Sequence, residues 1–229
     1  MSEVRSYSAE AHEPSATDTL MEAFRADPIF RGVMVDDADY NSMAPIMFGS
    51  FSGLLMSAYG TVDVVEQNGA AVAVAQWEPA AMSLNAGLRM LVAIPKLCWA
   101  MGYKKSVMML KMFAVLESKR HELGGNAHHL MTLGTNPEQQ GKGVGSILIK
   151  KGIARATELG VPCYLESSNP KNIPFYLRHG FVEVGKYYPY EKDGVDGNGA
   201  KIEGKGPVLT FMYRELDGGN LGGRTGGAE

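Results

Sequence analysis

The chain has 229 residues, with 22 Lys and Arg against 25 Asp and Glu, a net charge of −3 with histidine neutral. That length can bury a core without staples, and the weakly acidic balance gives no electrostatic footprint for nucleic acid. Two cysteines, Cys98 and Cys163, are too few for a disulfide framework and fit a reducing, cytoplasmic compartment.

Met1 to Ser15 has no apolar stretch and carries three glutamates, so no secretory signal is expected there. Val4–Ser8 reads as a first strand, and Ala16–Arg25 has helical spacing that Asp27-Pro28 stops. Asn41–Tyr59 reads as a second helix closed by Gly60. Thr61–Gln67 and Ala70–Trp77 read as a hairpin, because Asn68-Gly69 suits the two positive φ angles of a type I′ turn. Residues 82–123 read as two or three helices broken at Pro95 and near Gly102. Lysines interrupt this apolar region, so it does not span a bilayer. Half of the 14 methionines fall between Met82 and Met131, as core fillers or as a pocket lining. Then come a strand over His129–Gly134, a helix over Gly143–Leu159, a strand over Val161–Glu166 and a short helix over Asn172–His179 capped by Asn172. Phe181–Tyr188 and Pro207–Tyr213 are the last strands, joined by a glycine-rich loop from residue 194. The order implies an α/β domain over 1–216 with a mixed sheet, and a flexible glycine-rich tail over 217–229.

Glycine is over-used, at 28 residues, and the informative ones lie in Gln140-Gly141-Lys142-Gly143-Val144-Gly145-Ser146, between a strand and a helix. Such a loop presents the unpaired N–H groups and positive dipole end of a helix to an anion. A Walker A loop is excluded, since Gly143 stands where Ser or Thr must follow the lysine and no glycine occupies position 136. A dinucleotide fingerprint fits Gly141 and Gly143 but finds Ser146 in its last place, while Glu166 keeps that reading open. The third reading is a coenzyme A pyrophosphate site.

The chain after the loop decides between them. Gln140, Gly143 and Gly145 fit [Q/R]-x-x-G-x-[G/A], and Asn169, Tyr176, Gly180 and Phe181 fit an Asn followed by Tyr at plus seven and Gly-Phe at plus eleven and twelve. In both motifs the chain resembles the GCN5-related N-acetyltransferase (GNAT) family. Within it, Leu133–Phe181 is most similar to the puromycin N-acetyltransferases; residues 82–123 and the last 40 are much less so, and the puromycin specificity is not carried over.

The resemblance implies a mixed, mostly antiparallel central sheet flanked by helices, with a helical insertion between strands 3 and 4. It implies acetyl-CoA as cosubstrate, a small-molecule amine as acceptor, direct attack on the thioester, and no metal. Nucleic acid and membrane are not expected partners, and oligomeric state is unread. Gln140, Gly141, Lys142, Gly143, Val144, Gly145 and Ser146 are then the pyrophosphate cradle. Leu133, Gly134 and Thr135 are the strand edge for the pantetheine arm, and Asn169 contacts the same arm. Tyr176 is the candidate general acid, since a phenol and a thiol have comparable pKa values. Glu166 is the candidate base, acting directly or through water, with His128 and His129 as further candidates. Cys163 reads as core, and His121, His128 and His129 lack the partners of a zinc site. A non-catalytic acyl-CoA sensor of the same fold is the rival reading.

Overall fold

A computed structural model of the protein describes residues 3–13, 15–49, 60–78, 84–123, 126–190 and 206–216. The expected tail over 217–229, most of the loop from 194 and the end of the Asn41–Tyr59 helix lie outside them. Strand β1 (Glu3–Ser6) leads into a single turn, α1 (Ala9–His12), and then α2 (Ser15–Phe24), which buries Ala16 and Leu20. Helix α3 (Pro28–Val33) was not anticipated. Asp27-Pro28 stops one helix and starts the next: the Asp27 carboxylate accepts the N–H groups of Ile29 and Phe30 at 2.9 and 3.2 Å, and Pro28 occupies the first turn. Helix α4 (Asp37–Gly49) begins four residues before the expected Asn41 and holds Pro45 inside it.

Strands β2 (Thr61–Gln67) and β3 (Ala70–Glu78) form the predicted hairpin, with φ of 54° at Asn68 and 79° at Gly69. Between β3 and β4 runs the helical stretch α5 (Leu84–Glu122). It breaks at Gly102, where φ is 73° and ψ 164°, and not at Pro95, contrary to expectation. Pro95 is exposed, so the carbonyl that its ring leaves unpaired can turn to water. Strand β4 (His128–Thr135), α6 (Val144–Glu158) and β5 (Cys163–Ser167) make a strand–helix–strand crossover. Helix α7 (Ile173–Arg178), β6 (Val182–Tyr187) and β7 (Leu209–Arg214) follow. The expected cap at Asn172 makes no side-chain bond; Asn169 caps the preceding 3-10 turn by accepting from the Lys171 N–H at 3.1 Å.

Among the described residues seven strands form one sheet in the order β1-β2-β3-β4-β5-β7-β6. Only β4 and β5 pair in parallel, as a helical crossover requires, and the other neighbours are antiparallel. The fold is therefore the expected mixed, mostly antiparallel sheet flanked by helices. Two apolar clusters line it. One joins α2, α3 and α4 with Met109 and Met112 of α5. The other packs α6 and α7 on Trp77, Leu130, Leu165 and Met212. The methionines whose packing is described thus act as core fillers, Met108 and Met131 lying against the first cluster.

Trp77 sets how close α6 comes to the sheet. A Cβ at Gly152 would lie 2.0 Å from Cζ2 of the fully buried indole. Gly152→Ala is expected to cost about 1–3 kcal/mol through overpacking, or roughly 2–4 °C of melting temperature per kcal/mol for a chain of this size. A thermal melt checks it; an unchanged midpoint would show that the indole can move aside.

Candidate active site

The site is built where β4 and β5 part. They pair over three positions only, His128 with Cys163, His129 with Tyr164 and Leu130 with Leu165. The β3–β4 ladder matches Trp77 to Leu130 and Gln76 to Thr132, so Met131 is an unmatched bulge residue at the point of divergence. Beyond it, Leu133, Gly134 and Thr135 pair with Ala75, Val74 and Ala73 of β3, and the ladder to β5 has ended. Gly134 faces α2: a Cβ there would lie 2.7 Å from Leu20 Cδ2.

The glycine loop follows directly. Gln140 ties it to the end of β4 by donating from Nε2 to the Thr135 carbonyl at 3.1 Å. Gly141 and Gly143 have φ of 76° and 79°, and Gly143 is the residue from which α6 starts. A Cβ on either would meet no protein atom within 4 Å, so the space beside both is open. The first N–H groups of a helix have no partner inside it, and here they belong to Val144 and Gly145. Gly145 lets α6 pass close to β4: a Cβ there would lie 3.4 Å from Thr135 Oγ1. Ser146 is already inside the helix, its N–H bonded to the Gly143 carbonyl at 3.0 Å. Lys142 is exposed and donates to Gln139 Oε1 at 3.2 Å. The contiguous residues read from the sequence as an anion cradle thus come together at one end of the β4–β5 gap.

Past the gap, the side-chain oxygen of Asn169 is used in its own loop cap, in which its amide N–H groups take no part. Tyr176 on α7 is buried, edge-on to Phe175 at 5.2 Å and to Phe181 at 6.0 Å. Burial and then the charge of Asp27 hold its phenol well above the ordinary value of 10, so the proton stays on. Asp27 is itself only 4% exposed. Burial raises its pKa, partly offset by Ser168, whose hydroxyl donates to Oδ2 at 2.6 Å, and by the two α3 N–H groups. The α2–α3 junction is thereby fastened to the end of β5.

Glu166 points to the opposite face of the sheet. Along β5 the side chains alternate: Leu165 joins the cluster that holds Tyr176, and Glu166 meets His129. Glu166 Oε2 lies 2.7 Å from His129 Nε2, and Glu78 Oε2 lies 2.8 Å from His129 Nδ1 and 3.0 Å from Arg120 Nη1. Burial opposes the charge on His129, but the carboxylates of Glu166 and Glu78 outweigh it and raise the imidazole to about 10. With both nitrogens facing carboxylates, His129 has no lone pair to offer and cannot be a free base. Glu78 is held below the ordinary glutamate value, His129 and Arg120 overcoming its burial.

His128, one residue earlier, faces the other way and stacks on Trp77 at 4.7 Å. Burial, then Arg155, lowers it to about 4, so it is neutral and packed rather than poised as a base. Cys163 is a buried core thiol raised to about 11 by burial.

The two histidines give opposite pH dependences. Between about pH 4 and 6.5 the unfolded chain binds a proton at His128 that the folded protein does not, so stability rises with pH across that window. Between about 6.5 and 10 the folded protein keeps the His129 proton that the unfolded chain has lost, so that contribution falls as pH rises. His128→Phe, which keeps a ring on Trp77, is expected to flatten the acid-side rise in denaturant midpoint. An unchanged acid slope would assign it to the carboxylates instead.

Glu78 and Arg120 had no assigned role in the sequence. The one local signal was an ionisable residue directly after the largely apolar strand Ala70–Trp77, where burial demands a partner. Among the described residues no group of three His, Cys, Asp or Glu could hold a metal ion, and no helix is long and apolar enough to cross a membrane.

Residues 99–181 match the family described as the acetyltransferase (GNAT) family. Three solved structures share the fold. A histone acetyltransferase HPA2 and related acetyltransferase from Corynebacterium glutamicum is 22% identical, with 93% of this chain and 96% of that one covered and a TM-score of 0.66. Arylalkylamine N-acetyltransferase 2 from Aedes aegypti is 13% identical over 94% and 99%, with a TM-score of 0.58. The PaiA N-acetyltransferase from Thermoplasma acidophilum, in complex with coenzyme A, is 12% identical over 94% and 99%, with a TM-score of 0.53. The family match covers residues 99–181, and the solved structures share the fold of the chain as a whole.

Proposed function

We propose that this chain transfers an acetyl group from acetyl-CoA to the amine of a small molecule, with antibiotic and toxic amines, puromycin among them, as candidate acceptors. The observation that carries the reading is the parting of β4 from β5 directly beside an open glycine loop at a helix start. That arrangement offers N–H groups for a pyrophosphate and a free strand edge for an extended arm, and the open space at Gly141 and Gly143 leaves the loop accessible to it. Acetyl-CoA supplies the thioester when bound.

The chain's own residues then have separable tasks. The backbone of Gly141 to Gly145 holds the pyrophosphate, with Gln140 bracing the loop and Lys142 adding charge. Leu133, Gly134 and Thr135 present the strand edge, and Asn169 supports the arm. Glu166 takes a proton from the amine as the nitrogen–carbon bond forms. Tyr176 gives its proton to sulfur as the carbon–sulfur bond breaks, and recovers one from water. The two lie on opposite faces of the sheet, which suits separate roles toward the acceptor and the leaving group. Holding both reactants in place supplies several kcal/mol of the barrier.

The test is a thiol-release assay with acetyl-CoA and a panel of an alkylamine, an arylalkylamine and puromycin, alongside thermal melts with coenzyme A and with NAD(H). Amine-dependent thiol release and a melting temperature raised by coenzyme A are expected. A rise with coenzyme A but no turnover on any amine would make the protein an acyl-CoA sensor. A rise with NAD(H) alone would return the loop to dinucleotide binding.

A further inference from the structure

We propose that Glu78 is a positioning residue for the reaction, holding Glu166 in place through the imidazolium of His129. The proposal rests on the reading of Glu166 as the base. Four side chains from four elements form one buried chain of contacts: Arg120 of α5, Glu78 of β3, His129 of β4 and Glu166 of β5. Their side chains are 9, 14, 11 and 9% exposed, so each link is largely shielded from solvent.

The geometry assigns the protons. An ionised carboxylate only accepts hydrogen bonds, and His129 has a carboxylate oxygen within 2.8 Å of each ring nitrogen. Both nitrogens therefore donate. The ring is pinned at Nδ1 by Glu78, and Glu78 is pinned by Arg120, so Nε2–H is aimed at Glu166 Oε2. A lone His–Glu pair would leave the imidazole free to flip or to lose its second proton; the second carboxylate prevents both, as outer groups do for other functional histidines.

The other groups around His129 are consistent with this. Tyr164 of β5 places its ring 5.3 Å from the imidazole, and Glu117 of α5 lies 3.7 Å from Arg120 rather than against His129. His128, one residue earlier, is neutral, and the charge of His129 is one of the causes that keep it so. Counting Glu78, Glu166, His129 and Arg120 as two negative and two positive, the set is neutral, so its members order one another without placing a net charge in the core.

The test is a double-mutant cycle on kcat at saturating acetyl-CoA, using Glu78→Gln, His129→Asn and the pair, with Glu166→Gln as reference. Glu78→Gln is expected to lower kcat about tenfold, a coupling within the range for residues in one buried network, with the KM for acetyl-CoA unchanged within about twofold. In the His129→Asn background it should add less than about twofold. Glu78→Asp keeps the charge on a shorter arm and should recover part of the loss; it carries the cycle if the Gln variant does not fold. Effects of Glu78→Gln and His129→Asn that multiply would overturn the proposal, because Glu78 would then not act through His129. Glu166→Gln abolishing turnover while Glu78→Gln leaves kcat intact removes the positioning role alone. Full turnover in Glu166→Gln removes the base reading, and the positioning role with it.

Discussion

Tyr176→Phe is expected to lower kcat by two to three orders of magnitude while the KM for acetyl-CoA stays within about threefold, the size that a lost general acid commonly carries. The substitution removes one oxygen and little else. The ring's edge-on packing against Phe175 and Phe181 is kept, so the fold of α7 does not depend on the hydroxyl. What is lost is the proton donor for the departing sulfur. Burial and Asp27 raise the phenol, which would handicap it against an aqueous thiol of ordinary pKa near 8.5. The comparison with aqueous thiol is the wrong one. A thiolate forming in a water-poor gap is destabilised by the same loss of solvent and becomes a stronger base, so a phenol that holds its proton until the carbon–sulfur bond yields is matched to its task. Steady-state kinetics with each substrate varied decide the matter, and a kcat equal to wild type would take Tyr176 out of the mechanism.

What was legible in the sequence, and what was not, divides along chain separation. Asn68-Gly69 announced its hairpin because a type I′ turn is a two-residue problem with a two-residue solution. Gly141, Gly143 and Gly145 announced their loop because a strand–turn–helix junction is also local. The errors near α3 and α5 were local as well, and had local causes. Asp27-Pro28 was read only for the helix it ends, though an aspartate before a proline is also how a helix begins. Pro95 does not interrupt the helical run around it, which breaks at Gly102. The network behind Glu166 could not have been read in this way. Its links join residues 37, 42 and 51 positions apart, and they exist only because three adjacent strands and a helix meet at one point. Glu166 and His129 were both suspected, but separately and as rivals; their contact turns one of them from a candidate base into a holder of the other.

Gly143→Ala is expected to raise the KM for acetyl-CoA tenfold or more and to abolish the coenzyme A-dependent rise in melting temperature, with kcat at saturation within about threefold of wild type. Two separate costs meet at this residue. The first is conformational: φ is 79°, and an L side chain in the left-handed region costs about 1–2 kcal/mol whatever surrounds it. The second is a matter of occupancy. Nothing lies within 4 Å of the added Cβ, so the methyl meets no protein atom; it fills the open side of the loop, over which the phosphates would sit. A control separates the two. Gly160, just beyond the other end of α6, has a φ of 68° and equally open space around its Cβ, so Gly160→Ala carries the same strain with no ligand nearby. Both variants should lose a similar few degrees of melting temperature, and only Gly143→Ala should lose coenzyme A. If the two variants bind coenzyme A alike, the loop is a helix start and nothing more. If they part as expected, the binding defect of Gly143→Ala and the turnover defect of Tyr176→Phe assign separate parts of one site to holding the donor and to releasing its sulfur.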